Sequence, residues 1–264
     1  MRLATFLTPE AGNPLAGEVR GDRIVAFRTG TVLDRLASGD LTPADGEEHA
    51  LSEVTLLAPI ARPRAIFGIG LNYAAHAAET GKQLPEQPMV FMKLPSSSAP
   101  PNGPIEVPAA AGRRLDYEAE LAVVLGPDGR IAGYAAANDL SARDLQRRET
   151  QWTRAKGFDS SCPWGPWITT ADDVADPEAL RIGSRVNGEV RQDSSTADLV
   201  FGPQALVDFI AQTCTLEPGD LILTGTPEGV GQSMDPPQFL ASGDVVRIEI
   251  EGLGAIEHAV TIGA

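Results

Sequence analysis

Leu115–Gly126 reads LDYEAELAVVLG. From Ala119 on it is an apolar run of strand length, rich in residues that suit a sheet interior. Ile131–Asp139, IAGYAAAND, is a second such stretch that ends on a carboxylate. We therefore expect strands at Leu115–Leu125 and Ile131–Ala137. Further candidates follow at Trp167–Thr169, Arg181–Val186, Leu221–Leu223, Val245–Ile250 and Ile256–Val260. Two segments stand out with a helical pattern. One is Leu140–Ala155, with Ser141 and Asp144 at capping-box spacing. The other is Pro203–Gln212, with Leu206, Val207, Phe209 and Ile210 on a broad face. Many strands and few helices predict a β-rich α+β fold, not a doubly wound sheet. The 27 glycines and 21 prolines suit short strands joined by turns.

Upstream, Ala16–Arg20 and Arg23–Arg28 flank Gly21–Asp22, a two-residue hairpin signal. Thr31–Ala37 suits a short helix, Ser38–His49 reads as a polar linker, and Glu53–Leu57 and Ala65–Ile69 as strands. A boundary near residue 60 is expected, giving a small N-terminal unit (1–60) and a larger catalytic one (61–264). The chain has 264 residues, enough for a sizeable core. Its net charge is −15, from 21 Lys and Arg against 36 Asp and Glu. That balance argues against nucleic acid and anionic membranes as partners. Two cysteines, Cys162 and Cys214, exclude a disulfide framework and point to a reduced, cytoplasmic setting. The first residues show no signal-peptide pattern, and no apolar run approaches bilayer length.

Glu118 and Glu120 are two apart, so on a strand they share a face. Two carboxylates facing a core are costly unless a cation sits between them. The pair is therefore either a metal site or the exposed face of an edge strand. Asp139 is either a third oxygen ligand at a strand end or an ordinary helix N-cap. An all-oxygen set favours Mg²⁺, Mn²⁺ or Ca²⁺ over Zn²⁺. Arg143 and Gln146 follow Asp139 by four and seven residues, near one helical stripe, and could contact substrate or decorate the surface. Lys156 either satisfies the last carbonyls of a helix or holds a developing negative charge. His76 and Glu79 are three apart, and on a helical turn they would form a dyad suited to activating water. Taken alone that pattern is weak. Gly68–Tyr73 lacks the third glycine of a dinucleotide fingerprint, and Gly225–Gly231 lacks the Lys-Ser/Thr of a Walker loop. The latter suits a loop whose backbone and Thr226 meet a ligand. Cys162, His49 and His258 read as structural or incidental.

In order along the chain, GLNYAAHAAE, PMVFMKLPSS, LDYEAELAVVLG, YAAANDLSARDLQ, AKGFDSSCPWGPW, PGDLILTGTPEGVG and the final GLG resemble the fumarylacetoacetate hydrolase family. The resemblance runs from about Arg64 to the C-terminus, and the N-terminal unit is similar to the short domain of compact bacterial members. It implies a mixed β-roll core and a divalent metal, usually Mg²⁺, on Glu118, Glu120 and Asp139. It implies that His76 and Glu79 activate water, that Lys156 lies near the reacting carbonyl, and that Arg143, Gln146 and Thr226 contact substrate. It also implies a homodimer. His258 stands where many members have Asn.

The expected substrate is a small anionic 2-oxo acid. The expected reaction is hydrolytic C–C cleavage of a 2,4-dioxo acid of the acylpyruvate or fumarylpyruvate type. The alternatives on the same site are oxaloacetate-type decarboxylation, or isomerisation or decarboxylation of a hydroxymuconate-type acid of aromatic catabolism. A metal-bound scaffold without turnover would require His76, Glu79 and Lys156 to be accidental. A dinucleotide oxidoreductase is disfavoured by the incomplete glycine motif.

Overall fold

The computed structural model of the chain describes residues 1–10 and 12–263. In chain order the first strands are β1 (Arg2–Leu7), β2 (Leu15–Arg20), β3 (Arg23–Ala26), β4 (Glu48–Ala50), β5 (Thr55–Leu57), β6 (Ile66–Gly70), β7 (Met89–Lys93), β8 (Ser98–Ala99) and β9 (Asn102–Val107). Then come β10 (Leu115–Asp116), β11 (Ala119–Leu125), β12 (Ile131–Asn138), β13 (Ser141–Ala142), β14 (Cys162–Thr170), β15 (Arg181–Val186) and β16 (Glu189–Ser195). The last are β17 (Leu221–Leu223), β18 (Val245–Ile250) and β19 (Gly254–Ile262). The helices are α1 (Val32–Ser38), α2 (Ala74–Glu79), α3 (Arg143–Arg148), α4 (Thr153–Lys156) and α5 (Pro203–Ala211).

A 12-stranded mixed sheet runs β4-β3-β2-β1-β14-β12-β11-β17-β6-β7, with β5 on β1 and β8 on β14. A second sheet of five strands runs β16-β15-β18-β19-β9. Every residue of β11 is buried, which is why its sequence is continuously apolar rather than alternating. Its two faces feed different cores. Leu121, Val123 and Leu125 pack with Ile182, Val246 and Ile248 of the five-stranded sheet and with Leu206 and Ile210 of α5. Ala122 and Val124 pack with Leu3, Phe27, Val32 and Leu36 from the N-terminal strands and α1. The N-terminal strands continue the large sheet, because β1 pairs with β14 through Arg2↔Thr169 and Leu3↔Ile168.

Four expectations are corrected. The strand expected over Leu115–Leu125 is broken at Tyr117 and Glu118. The buried Asp116 carboxylate accepts from the backbone N–H of Tyr117, Gly231 and Gln232 and turns the chain out of the ladder. The single helix expected over Leu140–Ala155 is two short ones. Ser141 and Ala142 instead pair with Asp116 and Leu115, and the Ser141 hydroxyl donates to the Asp139 carbonyl rather than capping a helix. The polar linker ends earlier than expected, since Ile24↔His49 pairing makes β4 of its last residues. Strand β14 is also longer than the Trp167–Thr169 core expected, its prolines having hidden it.

Asn72, just after β6, ties the site-bearing end of the fold together. Its Nδ2 donates to Phe201 O (2.9 Å) and Thr224 O (2.8 Å), and its Oδ1 accepts from Phe201 N (2.9 Å). Asn72→Ala strands these buried backbone groups and is expected to cost about 3 kcal/mol. Urea unfolding checks it, and a loss under ~1 kcal/mol would show that the loop relaxes freely.

Candidate active site

Glu118 lies in the break before β11, Glu120 is the second residue of β11, and Asp139 follows the end of β12. The pairing Ala119↔Asn138 sets these strands side by side and brings the three carboxyls together. Each offers an oxygen within 4.8 Å of the others, and all three are buried. The edge-strand and N-cap readings therefore fall away.

Cations surround this cluster. Lys156 Nζ donates to Glu118 Oε2 (2.5 Å) and Asp139 Oδ2 (2.7 Å). Lys93, at the end of β7 and fully buried, donates to Asp139 Oδ1 (2.6 Å) and to the Lys156 carbonyl. Arg143 donates through Nε to Asp116 Oδ2 (2.9 Å), and its Nη2 lies 2.7 Å from Glu118 Oε1 without hydrogen-bond alignment. Its Nη1 donates to Gln146 Oε1 (3.1 Å). Burial works against the charged form of Glu118, yet Lys156 and Arg143 win and hold its carboxyl well below the usual range. Burial likewise opposes the Lys156 ammonium, and Asp139 and Glu118 more than restore it.

Glu120 is the exception. Its hydrogen-bond partner is the Gly225 N–H (2.7 Å), and no cation pairs with it among the described residues. Burial, then Asp139 and Glu118, push its carboxyl well above the usual range. A divalent ion among the three carboxyls would supply the positive charge that Glu120 lacks. The donor set thus fits a hard, oxygen-seeking cation.

On α2, His76 Nδ1 lies 2.8 Å from Glu79 Oε1. The other oxygen, Glu79 Oε2, accepts from Gly229 N (3.0 Å). A carboxylate only accepts, so Nδ1 carries the proton and Nε2 is the free position of the neutral ring. His76, Glu118, Glu120, Arg143, Gln146, Lys156 and Thr226 line one cavity of about 40 Å³. Seven of the nine residues expected from the sequence thus line it, with Glu79 behind His76 and Asp139 joined through the carboxyl cluster. Phe91 and Trp152 wall the cavity, their rings 5.5 Å apart near edge-on. A wider groove of about 410 Å³ crosses the five-stranded sheet, but exposed ion pairs such as Arg181–Asp193 line it and the acidic cluster does not.

The model of the fumarylacetoacetate hydrolase C-terminal domain matches residues 65–261. The chain belongs to the fumarylacetoacetate hydrolase family. The mitochondrial oxaloacetate tautomerase FAHD2A of Bos taurus is 45% identical, the alignment covering 98% of this chain and 91% of that protein. The oxaloacetate tautomerase YisK of Bacillus subtilis is 40% identical, over 80% of this chain and 75% of that protein. Among solved structures, the maleylpyruvate hydrolase of Sphingobium sp. SYK-6, in complex with manganese(II) and pyruvate, superposes with a TM-score of 0.80 at 30% identity, covering 100% of both chains.

Within this fumarylacetoacetate hydrolase fold, four residues matter that the sequence reading passed over: Lys93, Asp116, Asn138 and Gln192. Asn138 Oδ1 accepts from Glu118 N (3.0 Å), and its Nδ2 donates to His258 Nε2 (2.9 Å). Burial drives the His258 imidazole down to about 3, so it stays neutral and acts as an acceptor. The incidental reading of His258 is therefore too weak, because it braces the backbone of a candidate ligand. Arg143 lines the same cavity while its guanidinium contacts Asp116, Glu118 and Gln146. Cys162 is buried and its thiol is pushed up to about 12 by that burial, which leaves it inert. No helix among the described residues is long and apolar enough to cross a membrane.

Proposed function

We propose that this chain interconverts the enol and keto forms of a small 2-oxo diacid of the oxaloacetate type. The observation that carries the reading is the His76 imidazole, backed by Glu79, in the same narrow cavity as Glu118 and Glu120 of the acidic triad. Enol and keto forms differ by one proton, on oxygen in the first and on the adjacent carbon in the second. Catalysis therefore needs a base and acid at carbon, and a group that steadies negative charge on the oxygen. His76 Nε2 fills the first role. Lys156 Nζ, with two protons engaged by Glu118 and Asp139, keeps a third for the oxygen. Mg²⁺, Mn²⁺ or Ca²⁺ held by Glu118, Glu120 and Asp139 would add Lewis-acid polarisation of the 2-oxo group. The names of the tautomerase relatives point the same way.

Hydrolytic C–C cleavage is the second reading. The His76–Glu79 pair that moves a proton at carbon could equally take one from water, and the Sphingobium neighbour is named a hydrolase. Two assays on the Mg²⁺-loaded protein separate them. Accelerated decay of enol-oxaloacetate absorbance, with no pyruvate released from an acylpyruvate, is expected. Pyruvate release from an acylpyruvate, with enol decay at the background rate, would overturn the tautomerase reading in favour of the hydrolase.

A homodimer is part of the same proposal. The large sheet ends on the open edges β4 and β7, and β-rich folds must cover or blunt such edges. Light scattering is expected to give twice the chain mass. The mass of a single chain at both dilute and concentrated loading would refute it.

A further inference from the structure

Gln192, on β16, is 2% exposed, and both ends of its amide are fully used. Its Oε1 accepts from Ala119 N (3.0 Å) and Ser184 Oγ (2.9 Å). Its Nε2 donates to Thr226 Oγ1 (2.7 Å) and to Pro227 O (2.9 Å). These partners leave no choice of orientation. The Ala119 N–H can only donate and the Pro227 carbonyl can only accept, so the Nε2 end must face Thr226. Gly229 belongs to this contact, since a Cβ there would meet the Arg191 carbonyl at 2.1 Å. A larger residue would lift the Thr226 loop away from β16.

The consequence falls on Thr226. Its Oγ1 is the acceptor in the bond from Gln192, and its own proton has no acceptor among the described residues. Thr226 is 4% exposed and lines the cavity beside Glu118, Glu120 and Lys156. A hydroxyl with one lone pair occupied and its proton unspent is a donor waiting for an acceptor. We propose that Gln192 is a positioning residue that presents the Thr226 hydroxyl as a hydrogen-bond donor to an anionic oxygen of the substrate. Gln192 touches no reacting atom and acts through Thr226. By holding Ala119 with its other end, it also fixes that donor relative to Glu118 and Glu120. The assignment rests on the cavity being the site of a small 2-oxo acid.

The test is a double-mutant cycle on the Mg²⁺-loaded protein, read by calorimetric titration with oxalate as an inert acid probe. Gln192→Glu replaces the donor end by an acceptor. The Thr226 proton then turns to the new carboxylate, and lone pairs face the cavity. Oxalate affinity is expected to fall about tenfold or more, the scale of one hydrogen bond to a charged group. Thr226→Val is expected to lose a similar factor, and Thr226→Ser to retain affinity. In the Thr226→Val background, Gln192→Glu is expected to add no more than about twofold. A bare charge effect or a general loosening of the fold would add in full, and that result would overturn the proposal. So would wild-type affinity in a folded Gln192→Glu protein. Gln192→Met brings no charge into the core and keeps the cycle available if Gln192→Glu does not fold. It is expected to lose a smaller factor, again only where Thr226 is present, and a loss independent of Thr226 overturns the proposal. Turnover is not required. A protein that binds oxalate but leaves enol-oxaloacetate unchanged refutes the tautomerase reading and leaves the Gln192 result standing.

Discussion

A Glu120→Gln protein is expected to bind Mg²⁺ at least ~10²-fold more weakly than wild type, to lose its activity with it, and to melt no lower when both are metal-free. The choice of residue follows from the partners. Asp139 holds both Lys93 and Lys156, so Asp139→Ala would leave two buried ammonium groups short of a counter-charge. Breaking a buried pair in this way costs about 3–5 kcal/mol, and lost activity would then be confounded with lost fold. Glu118 has the same difficulty through Lys156 and Arg143. Glu120 accepts from the Gly225 N–H, and a glutamine oxygen can accept the same bond. The substitution also removes like-charge repulsion from Glu118 and Asp139 while keeping the shape. Even an outer partner of a metal ligand is worth ~10–100-fold in affinity, so loss of a charged ligand oxygen lies at or beyond that upper end. Calorimetric Mg²⁺ titration and metal-free melting curves read the two effects separately. Equal Mg²⁺ affinity in the two proteins would remove Glu120 from the ligand set.

What the sequence made legible was whatever carried a visible cost. Two carboxylates at the head of an apolar strand stand out because burying them needs a cation, and the structure supplies Lys156. The spacing of His76 and Glu79 was readable because one helical turn forces the contact. Lys93 was not readable, since its partner Asp139 is 46 residues away and only the sheet order brings them together. Gln192 was hidden for a related reason. Its strand, EVRQDSS, has one buried position among polar ones and gives little strand signal. Asp116 was within reach. It has the same parity as Glu118 and Glu120, so the alternation that paired those two also included it. The helix expected over Leu140–Ala155 failed because local pattern lost to tertiary pairing. The Leu115–Asp116 strand recruits Ser141 and Ala142, and Arg143 N donates to the Arg114 carbonyl. These departures cluster around the candidate site, where side-chain demands override propensity.

His76→Ala is expected to slow enol–keto conversion by about 10²–10⁴-fold, the usual share of a positioned acid–base group. The loss is expected in kcat, because Nε2 acts on a proton in flight and the anionic groups of the substrate are held elsewhere. Mg²⁺ affinity is expected to stay close to wild type, since the imidazole is bound to Glu79 rather than to the carboxyl triad. Hydrolysis of an acylpyruvate, if the chain performs it, is expected to fall by a similar factor, because water also needs that base. Decarboxylation of oxaloacetate differs. It needs an electron sink at the 2-oxo oxygen, the role proposed for Lys156, and no base at His76, so any decarboxylation that the wild type shows is expected to survive. Glu79→Gln is expected to give a smaller loss than His76→Ala. The glutamine oxygen still accepts from Nδ1–H, so the ring keeps its tautomer but loses the carboxylate that supports a positive imidazolium. The experiment follows enol absorbance and pyruvate release from oxaloacetate in parallel, for wild type and both variants at saturating Mg²⁺. Wild-type enol decay in His76→Ala would reduce the pair to a structural contact on α2. A parallel collapse of decarboxylation would instead mean that His76 shapes the whole cavity and is not its proton carrier.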